Sequence, residues 1–283
     1  MNHVTPRIAV TGSTGKLGGR VARRLASLGI PQWLVVRDPS RAPALPDTKI
    51  RVTTYADFHA SVGALDAVET LFMVSASESP DRVKDHFAFI DAAARAGVQR
   101  VVYLSFFGAS PTATFTLARD HWQTEEHLRK SGMKFVVVRD NLYLDFLPLL
   151  VSPEGTIAGP AGNGLAAAVA QDDIADSIAA ILRAPATHDG RTYELTGPEA
   201  LTLDEIARVL SAHEEHAITF VNETIDEAYA SRAKYGAPKW QLDAWVSTYT
   251  AIAAGELARV TGDVERLTGH PPMSLSTLLA KRG

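Results

Sequence analysis

Ten residues near the start constrain this chain more than any others: Val10-Thr11-Gly12-Ser13-Thr14-Gly15-Lys16-Leu17-Gly18-Gly19. A short apolar run, Ile8-Ala9-Val10, precedes them. Val21, Ala22, Leu25 and Leu28 follow at helical spacing, and Gly29 closes the run. The order is therefore strand, glycine-rich turn, amphipathic helix, helix stop. Glycine has no Cβ, so such a turn can be tight and its backbone can approach a ligand closely. The helix start adds unpaired N–H groups and a partial positive charge aimed at the same point. A pyrophosphate fits there. The turn predicts a dinucleotide site formed by Gly12, Ser13, Thr14, Gly15, Lys16, Leu17 and Gly18. The spacing is Gly-x-x-Gly-x-x-Gly rather than the commoner Gly-x-Gly-x-x-Gly, and the plain alternative is a strand-to-helix turn without a ligand.

The chain has 283 residues, 46% of them hydrophobic, enough to bury a large core in one or two domains. A net charge of −4 without a basic block argues against a nucleic-acid partner. Cysteine is absent, which excludes disulfides, thiol catalysis and cysteine metal sites, and suits the cytoplasm. Met1 to Arg7 is polar and runs straight into the first strand, with no signal-peptide pattern. No apolar run approaches the ~18 residues of a membrane span.

Further strands are expected at Trp33–Val36, Ile50–Tyr55, Val68–Val74, Val101–Leu104 and Phe135–Val138, with helices between them. The unbroken apolar runs read as parallel strands buried on both faces. The result is an α/β fold, a doubly wound parallel sheet of the NAD(P)-binding Rossmann kind, with ligands at the C-terminal strand ends. The second strand ends in Arg37-Asp38-Pro39. An acid there favours NAD, and an Arg accommodates the 2′-phosphate of NADP. Arg37 comes first off the strand and Asp38 is placed to cap the next segment, so NADPH is expected ahead of NADH. Asp57 and Phe58 stand where adenine is often met, and equally fit a helix N-cap beside a core aromatic. Ser75 and Ala76 end the fourth strand, where small residues let ribose and phosphates pass. Ser105 ends the fifth.

Beyond residue 140 the pattern loosens. Residues 141–150 are apolar and aromatic, and Gly155 to Gly164 reads as a loop. Helices are expected over 172–183, 203–210, 225–235, 242–254 and 264–267, with one more strand at Tyr193–Leu195. We therefore expect an NAD(P)-binding domain over 1–150 and a smaller, mostly helical lobe over 151–283. That lobe would form the substrate pocket, while about 165–197 returns to the Rossmann core.

Several chemistries are absent. There is no Gly-x-Ser-x-Gly elbow and no P-loop. His213 and His216, with Glu214 and Glu215 between them, read as a solvated helix end, and no metal is expected. The acid of short-chain reductases is usually a Tyr with a Lys four residues on. The one such string, Tyr235 to Lys239, contains Pro238 and lies far beyond the sheet. The helix after the fifth strand carries His121-x-x-x-Glu125 instead.

Thr11 to Gly18, Val36-Arg37-Asp38-Pro39, His121-x-x-x-Glu125, Arg139-Asp140-Asn141-Leu142-Tyr143 and Leu267-Thr268-Gly269-His270 together resemble the NmrA-like branch of atypical short-chain dehydrogenases. The resemblance covers nearly the whole chain and is strongest to bacterial NADPH:quinone reductases and triphenylmethane reductases. It implies NADPH bound through Gly12 to Gly18, Arg37, the loop at Ser75 and residues Asn141 to Tyr143, and in some members a homodimer. Gln171 and Asp140 stand where relatives often carry Arg and Asn.

Hydride transfer from a nicotinamide needs little covalent help from protein. His121, at an ordinary pKa near 6.5, and Tyr143 are the candidate proton donors. The expected activity is an NADPH-dependent reductase of a small electron-poor acceptor such as a quinone. The alternative is a non-catalytic NADP-binding redox sensor of the NmrA type.

Overall fold

A computed structural model describes residues 7–214 and 216–281. Met1 to Pro6, in the N-terminal stretch read above, and Glu215 of the His213–His216 group lie outside the described residues. Along the chain the elements are β1 (Ile8–Thr11), α1 (Lys16–Ser27), β2 (Gln32–Val36), β3 (Thr48–Val52), α2 (Phe58–Ala64), β4 (Thr70–Met73), α3 (Arg82–Arg95), β5 (Arg100–Phe106), α4 (Thr116–Lys130) and β6 (Lys134–Asp140). There follow β7 (Thr156–Gly159), β8 (Leu165–Ala166), α5 (Gln171–Arg183), β9 (Thr192–Leu195), β10 (Leu201–Thr202), α6 (Leu203–Glu214), β11 (Thr219–Asn222), α7 (Ile225–Arg232), α8 (Lys239–Ala253), α9 (Asp263–Thr268) and α10 (Leu275–Ala280).

Seven strands form one parallel sheet in the order β3-β2-β1-β4-β5-β6-β9. The strand order reverses direction at β1, between β2 and β4, which is where a doubly wound sheet receives its ligand. All five residues of β2 and all four of β4 are buried, as strands covered on both faces require. β3 is one of the two edge strands, and Ile50 and Val52 are exposed on it. It is also shorter than expected. Pairing with β2 stops at Val36↔Val52 because β2 itself ends before Arg37 and Pro39. Tyr55, expected to close that strand, lies beyond it in a turn.

The chain divides into two compact units. Unit 1 comprises residues 1–105, 120–139 and 174–193, and unit 2 comprises 106–119, 140–173 and 194–283. Residues 106–119 and 140–150, expected with the sheet domain, fall in unit 2, and the returning segment is 174–193 rather than 165–197. One core of unit 1 gathers Trp33, Leu65, Leu71, Met73, Phe89, Ile90, Val101, Tyr103 and Leu128. Unit 2 has a core of its own, built on Leu144, Leu147, Ile157, Leu203, Ile206, Leu210, Ile252, Leu275 and Leu278.

Unit 2 differs from its expected form in small strands. The segment expected to be a loop, Gly155 to Gly164, contains β7, which pairs in parallel with β11. β8 pairs antiparallel with β10. Each is two to four residues long and its partner lies far along the chain, so local patterning carries little trace of it. α10 was likewise unforeseen.

Candidate cofactor site and its surroundings

The glycine-rich turn has the geometry its sequence requires. Gly12 sits at φ +64, a left-handed conformation that L side chains rarely adopt. Its carbonyl accepts from the Gly15 N–H at 2.9 Å, closing the turn. A Cβ on Gly18 would lie 2.3 Å from the Gly12 oxygen, so helix and turn approach this closely only with glycine there. α1 begins at Lys16 with Gly15 as N-cap. No side chain caps it, and no acidic residue occupies its first turn. Its leading N–H groups are thus left to a ligand. The Ser13 hydroxyl is buried and lacks a hydrogen-bond partner. An orphaned hydroxyl beside an uncapped helix start fits a bound pyrophosphate. The residues present therefore fit a dinucleotide.

Beyond β2, Arg37 is exposed. Asp38 turns away from it: its carboxylate accepts from the Ser40 N–H at 2.9 Å and the Ser40 hydroxyl at 2.7 Å, capping the turn Pro39–Arg41. These bonds hold the Asp38 carboxyl below its ordinary pKa. The acid that would select NAD is thus committed to its own loop. Asp57 is the N-cap of α2, accepting from the Ala60 N–H at 2.9 Å, and Phe58 is the first residue of that helix.

The loop after β4 is tied to the glycine-rich turn. The Val74 N–H donates to Thr11 Oγ1 at 2.9 Å, and Tyr55 Oη reaches both Thr11 Oγ1 and the Val74 carbonyl at 2.6 Å. Ser75 and Ala76 are half-buried. The Ala76 N–H donates to His86 Nε2 at 2.8 Å, and Arg82 Nε donates to the Ala76 carbonyl at 2.9 Å.

His121 does not stand in solvent. It is 6% exposed, with Arg82 Nη2 at 2.9 Å from Nε2 and Tyr103 Oη at 3.0 Å from Nδ1. Burial, and then the positive charge of Arg82, hold its pKa well below 6.5. This corrects the expectation of a donor near 6.5. An imidazole beside a guanidinium has to accept at Nε2, so the ring is neutral. Ser105 is fully buried, and its hydroxyl donates to Glu125 Oε1 at 2.6 Å. Glu125, itself buried, also pairs with Arg129 at 2.9 Å and Arg139 at 2.7 Å. The Ser105 side chain is thus spent on the ion network.

Within unit 2, Asn141 is buried, donating from Nδ2 to the Leu257 carbonyl at 3.0 Å and accepting from the Leu142 N–H at 2.7 Å. Its side chain shapes the chain rather than standing ready for a ligand. Tyr143 is half-buried, and its hydroxyl donates to Asp140 Oδ2 at 2.8 Å. Burial pushes the Asp140 carboxyl up to about 8. Tyr235 is 64% exposed, and Lys239 opens α8 paired with Asp243, so that string is no catalytic couple.

Residues that the sequence reading missed are Thr11, Tyr55, Arg82, His86, Tyr103 and Thr124. A signal existed. Arg82 and His86 lie one helical turn apart on the face of α3 that also carries the buried Phe89, Ile90 and Ala93. Polar residues at core-facing positions have to find partners.

Known proteins resemble this chain over nearly its whole length. Quinone oxidoreductase 2 of Escherichia coli K12 is 31% identical over 277 residues, covering 95% of this chain and 96% of that protein. NAD(P)H azoreductase of Xenophilus azovorans is 29% identical, covering 93% of each. Among solved structures, the E. coli NADPH-dependent quinone oxidoreductase complexed with NADPH superposes with a TM-score of 0.88 at 30% identity, over 97% of this chain and 99% of that one. The Citrobacter triphenylmethane reductase complexed with NADP(H) gives 0.86 at 26%, again over 97% and 99%. The model of the NmrA-like family matches residues 4–233. With that match spanning most of its length, the chain belongs to the NmrA-like family.

Proposed function

We propose that this protein transfers hydride from NADPH to a small electron-poor acceptor of the quinone kind. It is an NAD(P)H-dependent oxidoreductase, and NADPH is its cofactor. The quinone as acceptor, and the residues that serve it, are our reading. The observation that carries this reading is the uncapped, glycine-lined start of α1 with the orphaned Ser13 hydroxyl. The exposed Arg37, whose neighbouring acid is already committed, supports the 2′-phosphate assignment.

NADPH, when bound, supplies the hydride, and the protein's residues bind, orient and protonate. Gly12 to Gly18 would take the pyrophosphate, Arg37 the 2′-phosphate, and the Ser75–Ala76 backbone the passing ribose. An electron-poor acceptor needs no protonation before it takes a hydride, so a modest donor afterwards suffices. Of the two candidate donors we retain Tyr143. Its partner Asp140 is a neutral acid near neutral pH and can restore a proton to the phenol across 2.8 Å. His121 is neutral and engaged at both nitrogens. A cytoplasmic setting, supported by the lack of cysteine, and a homodimer, implied by the family resemblance, belong to the same reading. No helix among the described residues is long and apolar enough to cross a membrane.

The test is loss of NADPH absorbance with a panel of quinones, dyes and enones, with NADH in parallel. Turnover with a quinone is expected. Arg37→Ala should cost roughly 10- to 150-fold in NADPH affinity, the worth of one charge-assisted bond, and little in NADH affinity. Tight NADPH binding without turnover on any acceptor would replace this reading with the sensor.

A further inference from the structure

Between the end of β4 and the start of α3, residues 74–79 have no regular backbone pairing, yet this loop borders the glycine-rich turn. A Cβ on Gly12 would lie 3.1 Å from that of Val74, so the two segments are in contact. Any drift of the loop would be felt at Gly12. We propose that Arg82 and His86 are positioning residues for NADPH, gripping Ala76 at its backbone C=O and N–H so that the loop is set before the cofactor arrives. The proposal rests on the NADPH reading and goes beyond it by assigning the residues that preorganise the site.

Four observations carry it. First, both backbone polar groups of one residue, and so two successive peptides, are held by side chains of a single helix turn: Ala76 N–H on His86 Nε2 and Ala76 C=O on Arg82 Nε. Second, both gripping side chains are themselves buried, at 5% and 0% exposure. Third, each is held from behind by α4 or β5. His86 Nδ1 lies 2.9 Å from Thr124 Oγ1, whose hydroxyl donates to the Asp120 carbonyl at 2.8 Å. Arg82 Nη2 donates to His121, which reaches Tyr103, and Asp120 approaches Arg82 Nη1 at 3.5 Å.

Fourth, the protons are determined. A backbone N–H can only donate, so His86 Nε2 accepts and Nδ1 carries the proton, which goes to Thr124. Arg82 can only donate, so His121 Nε2 accepts and its Nδ1–H faces Tyr103. Two imidazoles are thus fixed in the same neutral tautomer, each with one assigned direction for donor and acceptor. Burial, and the charge of Arg82, keep both rings from protonating near neutral pH. A filler residue needs only volume, whereas this arrangement needs an acceptor facing Ala76 and a donor facing Thr124.

That requirement supplies the test. Glutamine offers a carbonyl and an amide N–H at comparable reach, and leucine offers neither. We would measure NADPH dissociation constants by calorimetry, melting temperatures, and backbone hydrogen exchange in the peptide 74–80. His86→Leu removes two buried hydrogen bonds and should raise the NADPH dissociation constant about tenfold or more and speed exchange at Ala76. His86→Gln should return binding to within about threefold of wild type. Should the leucine variant fail to fold, Thr124→Val, nearly isosteric, removes only the support behind His86. It should weaken NADPH about three- to fivefold with the same faster exchange.

An unchanged NADPH constant in folded variants would overturn the proposal, and so would a glutamine variant no better than leucine. Lower melting temperatures with intact binding would mark the cluster as packing alone. A wild-type protein that binds no NADPH would instead overturn the cofactor reading, which is a separate result.

Discussion

Unit 1 and unit 2 bury different kinds of polar group. Unit 1 keeps Arg82, His86, His121, Thr124 and Glu125 inside, each answered by a partner. Unit 2 packs around an apolar core of Leu, Ile and Ala, and among its described residues the buried charged side chains are acids: Asp140, Asp145 and Asp173. Satisfied polar networks fix one arrangement, because every alternative leaves a donor or acceptor unpaired at a cost of about 1–3 kcal/mol. Apolar packing tolerates repacking far better. A single fixed arrangement suits the loops that we propose hold NADPH, whereas the apolar core of unit 2 should be the more tolerant of substitution.

The largest break in this comparison should come from Glu125. Its carboxylate is fully buried between Arg129, Arg139 and the Ser105 hydroxyl. Glu125→Leu fits the space but takes the buried carboxylate away from two guanidinium groups, and breaking such a buried pair costs about 3–5 kcal/mol. The melting temperature should fall on the order of 10 °C. A loss of only a degree or two would mean that solvent reaches the arginines and that the network is not the anchor it resembles.

Acid and base should strain the two units in opposite directions. His86 has a folded pKa of about 3 against 6.5 unfolded, so unfolding takes up a proton between those values. Its contribution to stability is present above 6.5 and falls away as pH drops toward 3. Asp140 is the reverse: its folded pKa is about 8 against 3.8 unfolded. Its contribution is present below 3.8 and is lost as pH rises to 8. Each group contributes at most one proton, about 1.4 kcal/mol per pH unit, and the two slopes oppose each other between 3.8 and 6.5. Stability from urea unfolding should therefore fall from pH 6.5 toward 8, and less so in Asp140→Asn. His86→Gln should shrink the acidic fall, to which the buried His121 also contributes.

Glycine sharpens the contrast at smaller cost. Gly18 in unit 1 and Gly164 in unit 2 are equally crowded, with a Cβ at 2.3 Å from the Gly12 oxygen and at 2.1 Å from the Ile252 oxygen. Each alanine substitution forces backbone apart, at roughly 1–3 kcal/mol. Their functional consequences should separate. Gly18→Ala displaces the helix start from the turn and should abolish measurable NADPH binding. Gly164→Ala should lower the melting temperature similarly while leaving the NADPH constant unchanged. Equal effects on binding would mean that Gly164 also serves the cofactor.

How far the sequence could be read follows the same division. In unit 1 the turn, the buried strands and the capping role of Asp38 obey local rules of spacing and φ, and all were legible. The fold class and the family followed from them. What escaped was the second partner of each polar residue. His121 looks like a surface histidine on α4 until α3 is laid beside it, because Arg82 lies 39 residues earlier. In unit 2 the helices α6 to α9 were legible, but the small strands escaped, since β7 and β11 exist only through each other and lie about sixty residues apart. Tyr143 was singled out from sequence, but the buried Asp140 that holds its hydroxyl needed the fold.

The smallest expected effect tests the point where local and ligand readings met. Asp57 fits both an adenine contact and a helix cap, and here its carboxylate accepts from the Ala60 N–H at 2.9 Å. If capping is its whole task, Asp57→Ala removes one N-cap bond and costs about 1 kcal/mol. The melting temperature should drop by a few degrees, roughly 2–4 °C for a chain of this size. NADPH and NADH constants should stay where they are, and Asp57→Ser, which caps comparably, should restore stability. Asp57→Ala would separate the two roles: a fall in affinity for both nucleotides with stability rescued by Ser would show the carboxylate reaching the adenosine end as well. The polar economy of unit 1 would then extend to its exposed rim, where one side chain would cap a helix and meet the ligand at once.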